Sequence, residues 1–128
     1  MRLLLDTCTF LWMVSEKAQL SAISQPLLVD PDNELFLSSA SVWEICVKHK
    51  RGSLTLTDPP ERFISEQRKM HGIETLPLDE TSVLQLPNLP EIHKDPFDRM
   101  LICQAIAHSL TIVTPDPLIT QYPVRTIW

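Results

Sequence analysis

Short apolar runs alternate along this chain with longer segments of helical character. The runs have the length of buried strands: RLLL at the start, ELFLS (34–38), IETLPL (73–78), LTIVT (110–114) and VRTIW (124–128). The segments between them predict helices over TCTFLWMVS, over 19–29, from Ala40 to Lys50, from the proline pair at 59–60 to Met70, from Glu80 to Leu86 and from Phe97 to Ala107. Such alternation predicts right-handed crossovers and a mostly parallel sheet covered by helices on both faces.

Two acids follow directly after predicted strands. In sheets of this kind, sites form beyond the carboxyl ends of the strands, at the topological switch point. Asp6 comes straight after LLL, and Asp116 comes two residues after LTIVT. Each also suits a purely structural role as the N-cap of the helical segment that follows, and Asp116 precedes a proline, which favours a cap.

A third acid, Glu44, lies in the helix that follows the second strand. Trp43, Cys46 and Val47 are spaced as an apolar stripe that we expect to face the sheet, which places Glu44 at the edge of that stripe. The alternative is a solvent-exposed pair with Lys48, one helical turn further on, which stabilises a helix by only about 0.2–0.5 kcal/mol.

The segment HKDPFDR contains two aspartates three residues apart. Asp95 before Pro96 has the pattern of an N-cap followed by a proline in the first helical position. Asp98 then heads the same helical face as Leu101, Ile102 and Ala105, so it is predicted to point towards the sheet. An inward carboxylate must be paired or bound to a metal ion, because an isolated buried charge is very costly.

Together these acids predict a cluster at one end of the sheet. Crowded carboxylates repel one another and raise each other's pKa values, and a divalent cation relieves that repulsion. Oxygen-only ligands favour Mg²⁺ or Mn²⁺ over zinc. Such an ion can activate a water molecule and neutralise charge on a phosphate, so the cluster suits phosphoryl chemistry.

Composition narrows the class of protein. The 128 residues suit a single domain, 44% are apolar, and no run of 18 apolar residues exists that could span a membrane. The opening MRLLLDTCTF is too short for a signal peptide, which leads us to expect a cytoplasmic protein.

The three cysteines (Cys8, Cys46 and Cys103) lack zinc-site spacing and are predicted to be buried thiols. A net charge of -5 counts against simple electrostatic binding of nucleic acid.

Four blocks of sequence carry a family resemblance: LLLDTCTFLW, SASVWEICVKHKRGSL, LPLDETSVLQLPNLPEIHKDPFDRMLICQAIA and LTIVTPDPLITQYPVRTIW. With these blocks, in this order and spacing, the chain resembles a PIN domain, specifically the VapC-type ribonuclease toxins of bacterial type II toxin–antitoxin pairs. The HxDPFDRxLIxQA element is the most specific of the matches. The resemblance implies one PIN domain over residues 1–128, folded as a three-layer α/β/α sandwich.

The resemblance also implies an activity and the residues responsible for it. The activity is that of a Mg²⁺- or Mn²⁺-dependent endoribonuclease that cleaves RNA phosphodiesters with a metal-activated water. The family's acidic quartet falls on Asp6, Glu44, Asp98 and Asp116. Of these, the three aspartates are the expected metal ligands, while Glu44 would bind a second ion or orient the attacking water. Asp95, in the same motif as Asp98, is the competing candidate for that position.

Further roles and partners follow from the same resemblance. The supporting hydroxyl residues fall on Thr7 or Thr9 and on Thr114, and the expected phosphate contacts are Arg99 and Lys48. Family members also imply a homodimer and a cognate antitoxin protein that occupies the active-site groove. Leu11, Trp12 and Leu20 belong to a region that is either an antitoxin or dimer surface or simply core. Pro115 departs from the small or polar residue common in relatives.

Rival classes fit the sequence less well. A receiver-like phosphoacceptor needs an acidic pair after the first strand, and a haloacid-dehalogenase-like phosphatase needs an aspartate where this chain has Cys8. A nucleotide-binding switch needs a glycine-rich phosphate loop, and the chain has only two glycines. A non-catalytic PIN-fold module that binds RNA or protein stays open, with the acidic net charge in its favour.

Overall fold

A single five-stranded sheet, parallel throughout, organises the computed structural model, which describes residues 1–128. The strand order is β3-β2-β1-β4-β5. Their bounds are Arg2–Leu5 (β1), Glu34–Ser38 (β2), Ile73–Leu76 (β3), Thr111–Val113 (β4) and Arg125–Ile127 (β5). All five predicted strands are present, three of them shorter than predicted.

Six α-helices connect and cover the strands. Their bounds are Thr7–Ser15 (α1), Ser24–Val29 (α2), Ser39–Arg51 (α3), Pro60–His71 (α4), Glu80–Val83 (α5) and Pro96–His108 (α6), with 3₁₀ turns at Lys17–Gln19, Leu86–Asn88 and Ile119–Gln121. The helix predicted over 19–29 is therefore only partly correct. The backbone N–H of Ser24 donates to the Ser21 hydroxyl at 2.9 Å, and that of Ser21 donates to the Ser24 hydroxyl at 3.0 Å. These local bonds separate the first turn from α2.

Alternate residues of the strands enter two separate cores. On one face Leu3 and Leu5 pack with apolar residues of α1, α2, α3 and α4, whereas on the other face Leu4 packs mainly with α6 and with the loop that precedes it. The two-residue period of the strands thus divides each run between two apolar layers. The predicted three-layer α/β/α sandwich is confirmed.

The buried face of α3 differs from the prediction. The helix buries Ala40, Ser41, Glu44 and Ile45, while Trp43 is 57% exposed and Cys46 is exposed. The buried face thus carries the small side chains of Ala40 and Ser41, while the larger indole lies outside and packs on Phe97. The predicted stripe of Trp43, Cys46 and Val47 is wrong, and so is the prediction that all three thiols are buried: Cys8 is half-buried, and only Cys103 lies fully inside.

The topological switch point lies between β1 and β4. The chain leaves β1 for β2 on one side, whereas β4 lies on the other side. Leu5 is in register with Leu37 of β2 and Val113 of β4, so the next residues, Asp6 and Thr114, lie side by side at the carboxyl edge. The helices α3 and α6 both begin at this edge, because α3 follows β2 and α6 runs back towards the start of β4.

None of the helices combines the length and the apolar character needed to cross a membrane.

Gln104 offers a test of how the layers are joined. It is fully buried on α6, where its Oε1 accepts from the Ser38 hydroxyl and its Nε2 donates to the Pro77 carbonyl at 3.1 Å. Gln104→Met keeps the volume but leaves both partners unpaired, so we expect it to lower the free energy of unfolding by about 2–4 kcal/mol in urea titration. Gln19 is exposed, so Gln19→Met should change the free energy of unfolding by less than about 0.5 kcal/mol. Equal losses of stability in the two variants would contradict this role for Gln104.

Candidate metal centre at the carboxyl edge of the sheet

Asp6 is held rigidly at the end of β1. Its side chain is 3% exposed, and its Oδ1 caps α1 by accepting from the backbone N–H of Thr9 at 2.7 Å. Its Oδ2 accepts from the Thr114 hydroxyl across the switch point. Burial raises the pKa of Asp6, while the donated hydrogen bonds from Thr114 and Thr9 oppose that rise. Asp6 is therefore both an N-cap and a carboxylate facing the switch point.

Asp116 divides its two carboxylate oxygens in the same way. Oδ1 accepts from the backbone N–H of Leu118 at 2.8 Å, and Oδ2 lies 3.0 Å from Nε2 of His93. The backbone N–H of Asp116 donates to the Thr114 hydroxyl at 3.1 Å. The Thr114 hydroxyl therefore connects Asp116 to Asp6, which fixes the relative positions of the two carboxylates.

Asp98 enters the cluster from the first turn of α6. Asp95 caps this helix by accepting from the backbone N–H of Asp98 at 3.0 Å, with Pro96 in the first helical position, as predicted. The side chain of Asp98 is only 18% exposed, and its Oδ2 lies 3.0 Å from Nε2 of His93. The two aspartates of the motif thus have different positions, and Asp98 is the one that faces Asp116.

The charge of Asp98 is strongly disfavoured where it lies. Burial raises the pKa of Asp98 to about 7, and the nearby carboxylates of Asp95, Glu44 and Asp6 add to that rise. His93 works in the opposite direction. Three acids thus lie near enough to Asp98 to raise its pKa, and this raised pKa reflects a gathering of acids at this edge of the sheet.

Glu44 forms one wall of the cluster and is buried, with 5% exposure. Its Oε1 accepts from the Thr7 hydroxyl at 2.7 Å, and its Oε2 pairs with Nζ of Lys48 at 2.6 Å. The predicted pairing with Lys48 is present, but the carboxylate is inside the protein and not in solvent. The same contact raises the pKa of Lys48. Both oxygens of Glu44 already have donors from this chain.

The hydroxyl residues expected near the site have distinct contacts. Thr7 donates to Glu44, and Thr114 links Asp6 and Asp116. Thr9 instead uses its hydroxyl to donate to the carbonyl of Val113 at 2.9 Å, which ties α1 to the end of β4. Thr7 and Thr114 thus contact the acids with their side chains, and Thr9 supports the site through its backbone N–H.

The expected phosphate contacts, Lys48 and Arg99, are both already engaged within the chain. Lys48 remains about half exposed beside Glu44. Arg99 donates through Nη1 to the carbonyls of Pro90 and His93 at 3.1 and 3.3 Å and to the hydroxyl of Tyr122 at 3.2 Å. These bonds give Arg99 a structural role in the loop before α6, so Lys48 is the better placed of the two to meet a phosphate.

His93 is the residue at the centre of the site that the sequence interpretation missed. Its ring lies between Asp98 and Asp116, and ligand atoms of these three residues all lie within 4.8 Å of one another. His93 is part of the HxDPFDR motif, two residues before Asp95, so the motif itself could have pointed to it. It lies in an irregular loop, however, and no helical or strand periodicity predicts which way its side chain points.

The donor set fits a hard divalent cation. Asp6, Asp98 and Asp116 supply carboxylate oxygens from three different parts of the chain. The pKa of Asp98 is raised first by burial and then by the carboxylates around it, so a cation beside it would favour its charged form. Carboxylate ligands suit Mg²⁺ or Mn²⁺, whose coordination is completed by water. The atoms that lie close enough together to share one ion belong to His93, Asp98 and Asp116. Asp6 adjoins them through its link to Thr114, and Asp6 and Glu44 stay predicted members of the centre.

Comparisons with known proteins agree with this architecture. A family model described as "PIN domain" matches residues 3–124. No curated protein matches the chain.

Several solved structures share the fold over nearly the whole chain. The structure of VapBC2 from Rickettsia felis bound to a promoter DNA fragment has a TM-score of 0.73 at 14% identity, covering 99% of this chain and 98% of that one. DNA-bound VapBC from Salmonella typhimurium has a TM-score of 0.70 at 19% identity, covering 99% and 97%. FitAcB from Neisseria gonorrhoeae has a TM-score of 0.59 at 20% identity, covering 98% and 96%.

The raised pKa of Asp98 predicts how stability depends on pH. Its folded pKa of about 7 lies above the ordinary value of 3.8, so this group favours folding below about pH 4 and loses that contribution as pH rises through 7. In metal-free protein, we expect the free energy of unfolding of wild type to fall between pH 4 and pH 8 by at least about 1 kcal/mol more than that of Asp98→Asn. Chemical denaturation at each pH measures this difference, and Mg²⁺ should stabilise wild type at pH 8 but not the variant. Parallel pH profiles for the two proteins would contradict it.

Proposed function

The chain belongs to the PIN domain family, and from this premise we propose that it is a Mg²⁺- or Mn²⁺-dependent endoribonuclease that acts as the toxin of a type II toxin–antitoxin pair. The observation that carries the proposal is the cluster of acids at the switch point, in which Asp98 and Asp116 lie 3.0 Å from the same nitrogen of His93 and the pKa of Asp98 is raised to about 7. Asp6 adjoins this cluster through Thr114. Such a cluster of acids needs a cation, and a cation at this edge suits phosphodiester hydrolysis.

The residues have separate tasks in this reaction. When bound, a divalent cation supplies Lewis acidity, which activates a water molecule and neutralises charge on the phosphodiester and the leaving oxygen. Asp98, Asp116 and Asp6 would hold that cation from three different parts of the chain. Glu44, fixed by Thr7 and Lys48, keeps further lone pairs on its oxygens, so it can accept a proton from the attacking water and orient that water.

An aromatic pair with one exposed ring lies next to the acids in the chain and supports RNA as the substrate. Trp43 precedes Glu44 and Phe97 precedes Asp98, and their rings pack edge to face with centroids 4.8 Å apart. The indole is 57% exposed, so a base of single-stranded RNA can stack on it. Stacking and the bound cation together offset the acidic net charge of -5, which discourages binding through phosphates alone.

The partner proteins are part of the same proposal. Exposed apolar side chains, among them Ile23, Val29 and Met70, offer surface for a second copy or for an antitoxin. The structures named VapBC share this fold, which supports an antitoxin partner for this chain.

Three residues could belong either to the core or to a partner surface. Leu20 is core, whereas Leu11 and Trp12 are partly buried and Trp12 packs on Trp128. We propose that the protein acts on RNA in the cytoplasm.

Asp98→Asn tests the catalytic assignment. We expect purified wild type to cut a labelled single-stranded RNA with Mg²⁺ or Mn²⁺ and to lose this activity in EDTA. Removing the charge of Asp98 should lower the rate by more than about 100-fold, since the cation then loses a ligand and several kcal/mol of charge stabilisation. Gel analysis of the cleaved RNA measures the rates.

Asp95→Asn is the matched control in the same motif. Asparagine caps helices as well as aspartate does, so α6 should keep its start and the rate should stay within about threefold of wild type. Equal cutting by wild type and Asp98→Asn would mean that the activity belongs to a contaminant. RNA binding without cleavage in any condition, by a protein that binds no metal, would favour the non-catalytic binding module instead.

Trp43→Ala tests the stacking of a base beside the site. Loss of the indole should raise KM for single-stranded RNA about tenfold and leave kcat nearly unchanged, since one stacked base contributes about 1–3 kcal/mol. Trp43→Phe should restore most of the affinity. Leu84→Ala truncates another exposed apolar residue, directly after α5, and should leave both constants unchanged. An unaltered KM in Trp43→Ala would remove the aromatic pair from the substrate site.

A further inference from the structure

His93 is fixed between the two carboxylates by contacts at both ring nitrogens. Nδ1 accepts from the backbone N–H of Asp95 at 3.2 Å. Nε2 lies 3.0 Å from Oδ2 of Asp116 and 3.0 Å from Oδ2 of Asp98. The imidazole side chain is only 11% exposed, so the ring has little freedom to turn away from these partners.

These contacts determine which nitrogen of the neutral ring carries the proton. Because Nδ1 accepts a hydrogen bond from Asp95, it cannot carry the proton, which therefore lies on Nε2. Nε2 is then a donor directed at Asp98 and Asp116. A nitrogen that carries a proton has no lone pair for a metal ion, so this orientation of His93 is that of a donor and not of a ligand.

The main chain around His93 is hydrogen-bonded to a buried tyrosine. The hydroxyl of Tyr122, whose residue is 3% exposed, accepts from the backbone N–H groups of His93 and Ile92 at 2.7 and 3.1 Å. Arg99 donates to the same hydroxyl and to the carbonyl of His93. The direction of the imidazole is therefore set by the core and by the start of α6.

We infer that His93 is a positioning residue for the cation site: it donates Nε2–H to Asp98 and Asp116 and holds these two ligands at the separation that the ion requires. This inference rests on the proposed function, because it concerns the same acids. An oxygen that accepts from His93 keeps a second lone pair for an ion. Histidine and carboxylate partners that orient ligands in this way typically change metal affinity by about 10–100-fold when they are removed.

Mn²⁺ binding measured by calorimetry tests the inference without any need for RNA. His93→Ala removes the donor, so we expect its Kd for Mn²⁺ to rise about 10–100-fold. His93→Gln keeps an acceptor and a donor on one planar amide, and its Kd should stay within about threefold of wild type. A Kd for His93→Ala that equals or falls below that of wild type would overturn the inference, as would equal losses in the two variants.

The tautomer of His93 provides a second readout on the wild-type protein itself. Nitrogen-15 NMR of the imidazole should show the proton on Nε2 both in metal-free protein and after addition of Mg²⁺. A change to the Nδ1–H form on addition of Mg²⁺ would mean that Nε2 has become a ligand, which would overturn the positioning role. This measurement needs no variant, so it is independent of any folding defect in His93→Ala.

Asp98→Asn separates failure of this inference from failure of the proposed function. If wild type binds Mn²⁺ and Asp98→Asn does not, the cation site stands, and the His93 variants alone decide the positioning role. If wild type and Asp98→Asn bind Mn²⁺ equally, or neither binds it, the cation site falls and the role of His93 falls with it. Thermal unfolding of each variant, followed by circular dichroism, checks that the compared proteins are folded.

Discussion

Asp98 brings a carboxylate into a largely buried position that Asp95, Glu44 and Asp6 already make negative, and the surrounding structure is arranged around that unfavourable charge. The pKa of about 7 expresses the cost of ionisation in the absence of a cation. The protein tolerates the cost because each neighbouring acid is tied to fixed donors: threonine hydroxyls, backbone N–H groups and one lysine. Those donors stabilise the individual acids but leave the cluster as a whole short of positive charge, which the proposed divalent ion would supply.

The competing interpretations of the aspartates turn out to be compatible. A carboxylate has two oxygens, and Asp6 and Asp116 each give one to a backbone N–H and direct the other to a side chain of the site. The hydrogen bond from the backbone N–H fixes the orientation of the carboxylate that the proposed chemistry would use, so local structure and the proposed function depend on the same group. Only Asp95 and Asp98 divide these tasks between two residues, which explains why the motif contains two acids.

Most of the framework could be predicted from the sequence because it depends on local pattern. Five apolar runs gave the strands, and the position of acids just after them gave the edge at which Asp6 and Asp116 lie. The inward face of α3 could not be predicted in this way, because apolar residues occur on two adjacent faces and a 3.6-residue period does not say which one packs. In the structure, the face that contains Ala40, Ser41 and Ile45 is the buried one. His93 and Arg99 depend on Tyr122, a partner 29 and 23 residues away, and no local pattern carries that information.

The parallel order of the strands also has a consequence for the timing of synthesis. β1 pairs with β4, and the Thr114 hydroxyl reaches Asp6 across 108 residues of sequence. Tyr122, which orders the loop carrying His93, is translated later still. A nascent chain on the ribosome therefore holds Asp6 and Glu44 long before the residues that complete the centre have been added. For a protein proposed to cut RNA, this topology delays activity until the chain up to Tyr122 has emerged from the ribosome.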